Sequence, residues 1–360
     1  MRKLWIVLLA WAMTSPVFCA KPVTLDLVDE LLLYARQKSD AKVADELFDL
    51  ELTERVSPAR LARWEAELPG PKSRQAMVAL ADASVFLHPP PDEDPGIGAP
   101  RRDKQDAMLA LSRTYVTDTI PKLPNFFATR NTTLFSNAPG LNSPRVGNSQ
   151  VYQGMRLVGT ISDKAYFREG KEVIVADPNK QSTFIGNTLS TKGIFGEAIV
   201  MVLSDVFPSA PAWYRWEGGT DSPLAVYRYS VALDQSHYAV NATGDPAAVA
   251  YHGEIAIDPA NGAVRRLTAV AELGQSSPIS VANVMVEYGP VDIGGKTYIC
   301  PVKSVSLAVR RALGSSFAGA RPGAPSGPLV IKVNDIQFTD YHRFGAESRI
   351  LTGSDAAPNP

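Results

Sequence analysis

The segment YHGEIAIDPANGAVRRL, residues 251–267, decides the architecture of the larger part of the chain. Two runs rich in β-branched and aromatic residues flank a turn sequence, which is typical of a β-hairpin. Asp258 opens the turn, where its side chain can bond the following backbone. Gly262 closes it, where a positive φ angle is most easily adopted by glycine. Two strands joined by so short a turn are antiparallel.

The same segment places His252, Glu254 and Asp258 within seven positions, as a metal or acid–base site would require. On a strand these three residues share one face, and the backbones of Glu254 and Asp258 are about 13 Å apart. Paired glycosidase carboxylates are about 5 to 9.5 Å apart, so this spacing does not favour a catalytic pair. We instead expect Glu254 to face Arg266 across the hairpin as an opposite-charge pair.

A metal site is the alternative, because His252 and Glu254 are close enough to share one ion. Zinc needs three or four ligands, and the remaining candidates are His237 and His342. The sequence contains no HExxH motif, no CxxC motif and no aspartate-rich loop. We therefore assign no cofactor, no metal and no catalytic residue, and keep these four residues as metal candidates.

Alternation of apolar and polar residues continues through most of residues 123–350, with turn residues between the runs. Gly294-Gly295 is predicted to form a two-residue hairpin turn, which requires a positive φ angle at both positions. Sequential strands joined by short turns form an antiparallel meander, and the sequence lacks the strand–helix–strand alternation of a parallel sheet. We expect a domain made of one curved, half-barrel-like antiparallel sheet.

Residues 21–122 show a helical period instead. Ser57-Pro58 predicts the start of one helix, because serine caps the first turn and proline fits the first helical position. The proline-rich, charged stretch 88–102 has no period and predicts an exposed loop. We expect this domain to be a bundle of four or five short helices, which makes the fold class α+β.

One helix interrupts the β region near residues 194–207, where apolar side chains recur at one-turn spacing and few charges occur. A helix this apolar must be buried, and we expect it on the concave face of the sheet. If it leaves room beside it, its apolar side chains line a ligand site. That face consists of Phe195, Ile199, Val202, Leu203 and Val206.

Four aromatic residues are candidates to extend such a ligand site. Phe126 and Phe127 begin a predicted strand, where an aromatic pair either contacts a ligand or seals the sheet against a helix. Trp213 and Trp216 follow the buried helix and either line the mouth of a pocket or brace a hairpin. Both alternatives stay open for each pair.

Residues 1–20 have the three parts of a secretory signal peptide. A positive start precedes an apolar run, Leu4 to Met13, that is shorter than the roughly 20 residues of a membrane span. Cys19 would allow lipoprotein acylation, but Phe18 before it is a poor fit to that processing site. We expect export to the periplasm or beyond, with no lipid anchor and no transmembrane span in the mature protein.

Charge and cysteine content restrict the class of partner. Removal of residues 1–20 leaves 34 basic and 37 acidic residues, a net charge of −3. This balance argues against nucleic acid or an anionic membrane surface as the main partner. Cys300 is then the one remaining cysteine, so no intramolecular disulfide can form. Residues 351–360 are expected to form a disordered tail.

Five stretches of the chain carry a resemblance to known exported proteins. They are YHGEIAIDPANGAVRRL at 251–267, VMVEYGPVDIGGKTYICPVKS at 284–304, NDIQFTDYHRF at 334–344, LTERVSPARLARWEAELPG at 52–70 and KLPNFFATR at 122–130. On these stretches the chain is similar, over nearly its whole length, to uncharacterised exported proteins of Acidobacteria. This resemblance implies relatedness and export, and brings no activity to carry over.

The β region also resembles the half-barrel of the LolA/LppX/RseB group of periplasmic proteins. Strand order, the IDPxxG hairpin at 257–262 and the buried helix carry this second resemblance. It implies a curved antiparallel sheet that helices close around an apolar cavity for acyl chains. It implies no individual site residue.

Three hypotheses of function follow. The first is an exported periplasmic, non-enzymatic binding protein for an apolar small molecule, such as a lipid or a lipoprotein acyl chain. The second is an envelope interaction, scaffold or sensor protein that binds a partner through its helical region. The third is a metal-dependent or acid–base hydrolase that uses His252 and Glu254.

Overall fold

A computed structural model of the chain describes most of the sequence between Ala20 and Phe344. The predicted signal peptide up to Cys19, the predicted disordered tail and Phe195 lie outside the described residues. The described ranges are 20–138, 145–146, 149–150, 154–168, 171–176, 197–219, 222–241, 245–274, 277–311 and 329–344.

The N-terminal part folds into helices beside a two-stranded parallel sheet. Side chains of Thr24, Ser39 and Ser57 cap three of these helices by accepting a backbone N–H, and Pro58 begins the third as the sequence predicts. The bounds are β1 Lys21–Val23, α1 Leu25–Leu32, α2 Asp40–Phe48, β2 Leu50–Leu52, α3 Pro58–Glu67, α4 Pro71–Ala83 and α5 Arg102–Thr119.

The remainder of the described chain is mostly extended. Its helical interruption is α6, Glu197–Met201, which continues directly into a π-helical turn, Val202–Val206. The strands are β3 Phe126–Ser136, β4 Arg145–Val146, β5 Ser149–Gln150, β6 Arg156–Arg168, β7 Lys171–Ala176, β8 Ala212–Glu217, β9 Leu224–Val231, β10 Ala239–Asn241, β11 Pro246–Ala248, β12 Tyr251–Ile257, β13 Val264–Ala271, β14 Ile279–Asp292, β15 Thr297–Arg311 and β16 Leu329–Arg343.

Ten of these strands form one antiparallel sheet in the order β7-β6-β3-β16-β15-β14-β13-β12-β9-β8. This confirms the predicted α+β class with a long antiparallel sheet. The sheet is open, because β7 and β8 are its two edges and do not pair with each other in the part of the chain described.

Each face of the sheet is buried against a different set of helices, because side chains alternate along a strand. On β14, for example, Val286 belongs to one apolar cluster and its neighbour Met285 to the other. We call the front face the one that packs against α5 and the π turn through Val116, Val202 and other residues. The back face packs against α2 and α4, and α1 and α3 belong to the same apolar cluster.

The position of α5 differs from the predicted bundle. Val116 of α5 is 1% exposed and belongs to the front-face cluster, whereas the buried residues of α1 to α4 belong to the back-face cluster. A helical period in sequence does not say which face of a sheet a helix covers. The helices therefore form a layer on the back face, with α5 separated from it on the front face.

The predicted hairpin at 251–267 is confirmed. Asp258 accepts a hydrogen bond from the backbone N–H of Ala260 (2.9 Å), and Gly262 has a φ angle of 78°. The second predicted turn is also confirmed, because Gly294 and Gly295 have φ angles of 64° and 81°. Local turn chemistry thus sets both hairpins.

The first of these turns also contacts α5. A Cβ atom added to Gly262 would lie 2.7 Å from the backbone carbonyl of Leu111. Gly295 has nearly the same φ angle, but no atom lies within 4 Å of the place its Cβ would take. Alanine substitutions at these two glycines therefore distinguish the free-energy cost of a positive φ angle from the free-energy cost of a clash with α5.

We expect Gly262→Ala to lower the free energy of unfolding by about 2–4 kcal/mol, because alanine is strained at positive φ and must displace α5. Gly295→Ala should cost about 1–2 kcal/mol, since it is strained by conformation alone. Urea unfolding of both variants measures the difference. Equal costs would show that the turn does not support α5.

A buried charge cluster joins α4 to the back face. Asp82 is 1% exposed, and its Oδ1 lies 2.6 Å from Nζ of Lys303 on β15. The same Nζ lies 3.7 Å from Oδ1 of Asp335 on β16. Burial raises the pKa of Asp82 to about 7; the charge of Lys303 opposes that rise, and the charge of Asp335 adds to it.

This raised pKa predicts a pH-dependent stability. The folded chain binds the Asp82 proton more tightly than the unfolded chain, whose aspartate pKa is about 3.9. Its stabilisation is therefore complete below about pH 4 and is lost as the pH rises through about 7, by on the order of 3 kcal/mol. Urea unfolding between pH 5 and about pH 8 should show this decline.

Asp82→Asn should remove the decline over that range, because asparagine does not titrate. Asp103→Asn is the matched control, since the Asp103 side chain is 64% exposed and should leave the wild-type profile unchanged. A decline of equal size in Asp82→Asn would assign the effect to another group.

Candidate functional site

The front face contains an apolar pocket between α5, α6 and the sheet. It has a volume of about 20 Å³, which is room for about one water molecule. Aliphatic and aromatic side chains form most of its wall. The lining residues are Tyr115, Val116, Thr119, Leu123, Phe126, Phe167, Ile199, Val264, Tyr288, Ile299, Cys300 and Pro301.

Tyr288 supplies a polar group in this wall. It lies on β14 and is 4% exposed, and its hydroxyl has no hydrogen-bond partner among the described residues. Burial raises the pKa of Tyr288, so the hydroxyl stays protonated and can donate. A buried donor of this kind is costly unless a ligand group or water accepts its hydrogen bond. Tyr288 is thus the candidate polar contact in an apolar site.

Cys300 also lines the pocket and is 1% exposed. Burial raises the pKa of its thiol to about 12, so the thiolate is not formed at neutral pH. The thiol therefore acts as an apolar wall atom, as expected for a cysteine in an apolar strand.

The segment above the pocket is fixed at its C-terminal end by Asp205 of the π turn. The Asp205 side chain is fully buried. Its carboxylate accepts hydrogen bonds from the Ser204 hydroxyl (2.6 Å), the His237 backbone N–H (2.9 Å) and the Tyr251 hydroxyl (2.9 Å). Nδ1 of His237 lies 2.6 Å from the same carboxylate.

Burial alone would raise the pKa of Asp205, but the hydrogen bonds from Ser204, His237 and Tyr251 outweigh it and lower the pKa. The carboxylate is therefore charged at neutral pH. A buried charge with four donors fixes the position of the chain segment that carries it. The donors come from β12 and from the loop before β10, so Asp205 ties the π turn to the sheet.

The structure brings together most of the predicted ligand residues on α6 and the π turn. Ile199 lines the pocket, Val202 and Val206 are completely buried against the front face, and Leu203 packs partly buried beside them. Phe195 lies outside the described residues.

The predicted aromatic pair is divided between the two faces. Phe126 lines the pocket and stacks on Phe167, with ring centroids 5.1 Å apart. Phe127 lies on the back face, where its ring contacts Tyr166 at 5.8 Å and His342 at 5.2 Å. Adjacent residues on a strand cannot share a face, so the two do not contribute to one site.

Trp213 and Trp216 lie on β8, an edge strand that the sequence pattern did not predict. Their rings meet edge to face at 5.1 Å and pack partly buried against the front-face cluster. The Trp216 indole N–H donates to the carbonyl of Gly98 (3.0 Å), which ties the proline-rich loop to the sheet. Neither tryptophan lines the pocket.

Glu254 is held by arginines on the back face. Arg215 donates to both of its carboxylate oxygens (3.0 and 2.8 Å), and Arg228 lies 3.4 Å away. Arg266 is 4.0 Å away and instead pairs with Glu217. Burial would raise the pKa of Glu254, but the hydrogen bonds and charge of Arg215 outweigh it and lower the pKa. A carboxylate so neutralised is suited to structure rather than to proton transfer.

Glu254 does not stand directly opposite Arg266 as predicted, although their charged groups lie within 4.0 Å, because Ile257 pairs with Val264 and the hairpin contains a bulge beside that pair. Arg266 lies opposite Ala256, with a register shift between Ala256 and Ile257. The Glu254 N–H consequently donates to the hydroxyl of Thr268 (2.8 Å). The turn signals gave no indication of this extra residue.

The histidine candidates for a metal site lie apart. Nδ1 of His252 is 3.1 Å from Glu272, that of His237 is bonded to Asp205, and His342 stacks near Phe127. Within the described ranges, no group of three or more His, Cys, Asp or Glu residues could hold a metal ion.

Sequence reasoning missed Asp205 and Tyr288. Asp205 had a signal, because a carboxylate placed between the apolar residues Leu203 and Val206 of a buried helical face must find buried donors. No sequence pattern marks Tyr288, because its strand has the same alternation of side chains as the neighbouring strands. Its hydroxyl is unpaired only because of the tertiary packing around it.

Comparison with known proteins gives one structural likeness. No family model matches the sequence, and no curated protein matches it. Among solved structures, the chain is similar to the crystal structure of a LolA superfamily protein from Nitrosomonas europaea. The identity is 10% and the TM-score 0.27, over 69% of this chain and 97% of that one.

We expect Asp205→Asn to lower the free energy of unfolding by about 2–4 kcal/mol. Asparagine replaces one accepting oxygen with an NH₂ donor, which then faces hydrogen-bond donors that the carboxylate would accept. Ser204→Ala is the matched control, since it removes one of the hydrogen bonds and should cost about 1 kcal/mol. Urea unfolding at pH 7 measures both. Equal costs would mean that Asp205 does not anchor the π turn.

Proposed function

We propose that this chain is an exported, non-enzymatic binding protein for an apolar ligand such as a lipid or a lipoprotein acyl chain. The observation that carries the proposal is the apolar pocket beneath α6, whose lining residues include Tyr288 with its buried, unpaired hydroxyl. Ligand sites of this class combine apolar walls with few polar groups. The ligand would therefore be a hydrocarbon with a hydrogen-bond acceptor near Tyr288.

The size of the pocket requires a movement when a chain binds. About 20 Å³ accepts a group the size of water and not a hydrocarbon chain. Of the elements around the pocket, α6 is the shortest, and its Val200 is 47% exposed. Displacement of α6 would enlarge the pocket, and burial of hydrocarbon at about 25 cal/mol per Å² would offset the lost contacts.

The proposal of export rests on residues 1–20, whose pattern is that of a signal peptide. Within the described part of the chain, no helix has the length and apolar character needed to cross a membrane. Relatedness to exported proteins of Acidobacteria is part of the same proposal, supported by the quoted stretches.

A second candidate is a protein-interaction role for the helical layer. Leu33 and Tyr34, after the end of α1, are 73% and 59% exposed. Exposed apolar side chains of this size side by side fit a partner surface. A protein with only this interaction role would bind no apolar ligand, so a fatty-acid binding assay distinguishes the two candidate functions.

We expect the full chain to bind cis-parinaric acid, a fatty acid whose fluorescence rises in apolar surroundings. Ile199→Asn should weaken binding more than tenfold, because it puts a polar amide into the pocket wall. Val200→Asn is the matched control on the same helix, since Val200 is 47% exposed and does not line the pocket. Fluorescence titration gives the dissociation constants.

Tyr288→Phe separates a ligand contact from a structural role within the same assay. Its hydroxyl bonds no described residue, so its removal should leave stability unchanged or slightly higher. Loss of a hydrogen bond to the fatty acid should weaken binding about three- to tenfold. Absence of binding by the wild type, with no ligand in native mass spectra of the exported protein, would overturn the proposal.

A further inference from the structure

A second surface lies on the back face, at the end of the sheet nearest β7. In the strand register, His342, Phe127, Tyr166 and Val173 stand opposite one another across four strands. Directly opposite residues of antiparallel strands point to the same face. Together they form one continuous row.

The next row adds Val175, which stands opposite Lys164. Val173 and Val175 are 52% and 48% exposed, so the edge strand presents aliphatic side chains to solvent. The Phe344 ring completes the surface and lies 5.7 Å from the Phe127 ring. We call the apolar residues Phe127, Tyr166, Val173, Val175 and Phe344 the aromatic patch.

Basic side chains border the aromatic patch and lie over its rings. The guanidinium of Arg168 is 4.5 Å from the centroid of Phe344, and Nζ of Lys164 is 5.5 Å from that of Phe127. Lys171 pairs with Arg168 across the β6–β7 hairpin and is exposed. Cation–π contacts of this kind hold the charges at the level of the rings.

In the described part of the chain, the charged groups that contact the rings of the aromatic patch are basic. Asp163 and Glu172 of the same hairpin stand opposite Ala176 and Phe167, which places them on the front-face side of the strands. Asp340, at the bulge of β16, is the acidic residue beside the patch, and it accepts a hydrogen bond from Thr339. The predicted mature chain has a net charge of −3, which argues against attraction by net charge, but charges more than about 8 Å away are largely screened at physiological salt.

We propose that the aromatic patch and its basic border dock onto the surface of an anionic phospholipid bilayer. Aromatic rings prefer the headgroup level of a bilayer, and exposed aliphatic side chains gain by partial insertion. Arg168, Lys164 and Lys171 complement the anionic headgroups. Rings, an aliphatic edge and cations on one face together match the headgroup level of an anionic bilayer.

Co-sedimentation of the full chain with vesicles tests the proposal. Vesicles of phosphatidylglycerol with phosphatidylcholine should bind the protein, and vesicles of phosphatidylcholine alone should bind it much more weakly. The apolar run at 4–13 is present in every variant, so its contribution is common to all. The double variant Arg168→Gln with Lys171→Gln should weaken binding to the anionic vesicles about tenfold or more.

The matched control is Arg101→Gln with Arg102→Gln, which removes the same charge from exposed side chains at the start of α5. It should change vesicle binding less than twofold, because those residues lie outside the patch. Val173→Ser with Val175→Ser should weaken the binding that persists at high salt, where the apolar contribution dominates. These surface variants leave the pocket intact and should bind cis-parinaric acid like the wild type.

Three outcomes would overturn the proposal. The first is failure of the wild type to bind anionic vesicles. The second is an equal loss in the patch variant and in the α5 control, which would reduce the effect to net charge. The third is binding of the wild type to a polysaccharide matrix that Val173→Ser with Val175→Ser abolishes while binding to anionic vesicles is unchanged, which would make the aromatic surface a sugar platform.

Discussion

Alternation of side chains along an open antiparallel sheet is the constraint on which the rest of the structure depends. Each strand buries one set of side chains in front and the other behind, so both faces need a cover. On the front, α5 and the π turn supply it, and on the back α2 and α4 supply it. Neighbouring residues therefore have unrelated surroundings: Tyr288 lines the pocket, whereas Glu287 pairs in register with Lys303 of the charge cluster beneath α4.

The two covers differ in chemistry. The front is closed mainly by apolar contacts and one anchored carboxylate, Asp205. The back contains charged clusters around Asp82 and around Glu217, where Arg55, Arg215 and Arg266 surround one carboxylate. Burial would raise the pKa of Glu217, but the charges and hydrogen bonds of Arg266 and Arg55 lower it, so the charge is kept. A charged contact requires particular partners, and it thereby specifies how the helical layer sits on the sheet.

Prediction from sequence succeeded where the cause is local. The Asp258–Gly262 and Gly294-Gly295 turns depend on the residues in the turn itself. The helix start at Ser57 and Pro58 depends only on residues of the first helical turn. It failed where the cause is distant. Three features depend on residues far away in sequence. They are the register between Glu254 and Arg266, the edge strand that carries Arg215, and the position of α5 on the front face. The buried face of α6 and the π turn was recoverable because a helical segment with few charges must be buried, but the unpaired Tyr288 hydroxyl was not.

The geometry of α6 also says where a movement would begin. Its C-terminal end is tied to the sheet by the hydrogen bonds of Asp205, whereas Ile199 and Val200 at its other end are partly or largely exposed. Between them lies a π-helical turn, which is rare and energetically poorer than α-helix. Such a turn can rearrange at lower cost than the paired strands around it. If the proposed ligand binds, opening of the pocket would therefore pivot near Val202, with Asp205 holding the rest of the π turn on the sheet while Ile199 leaves the wall.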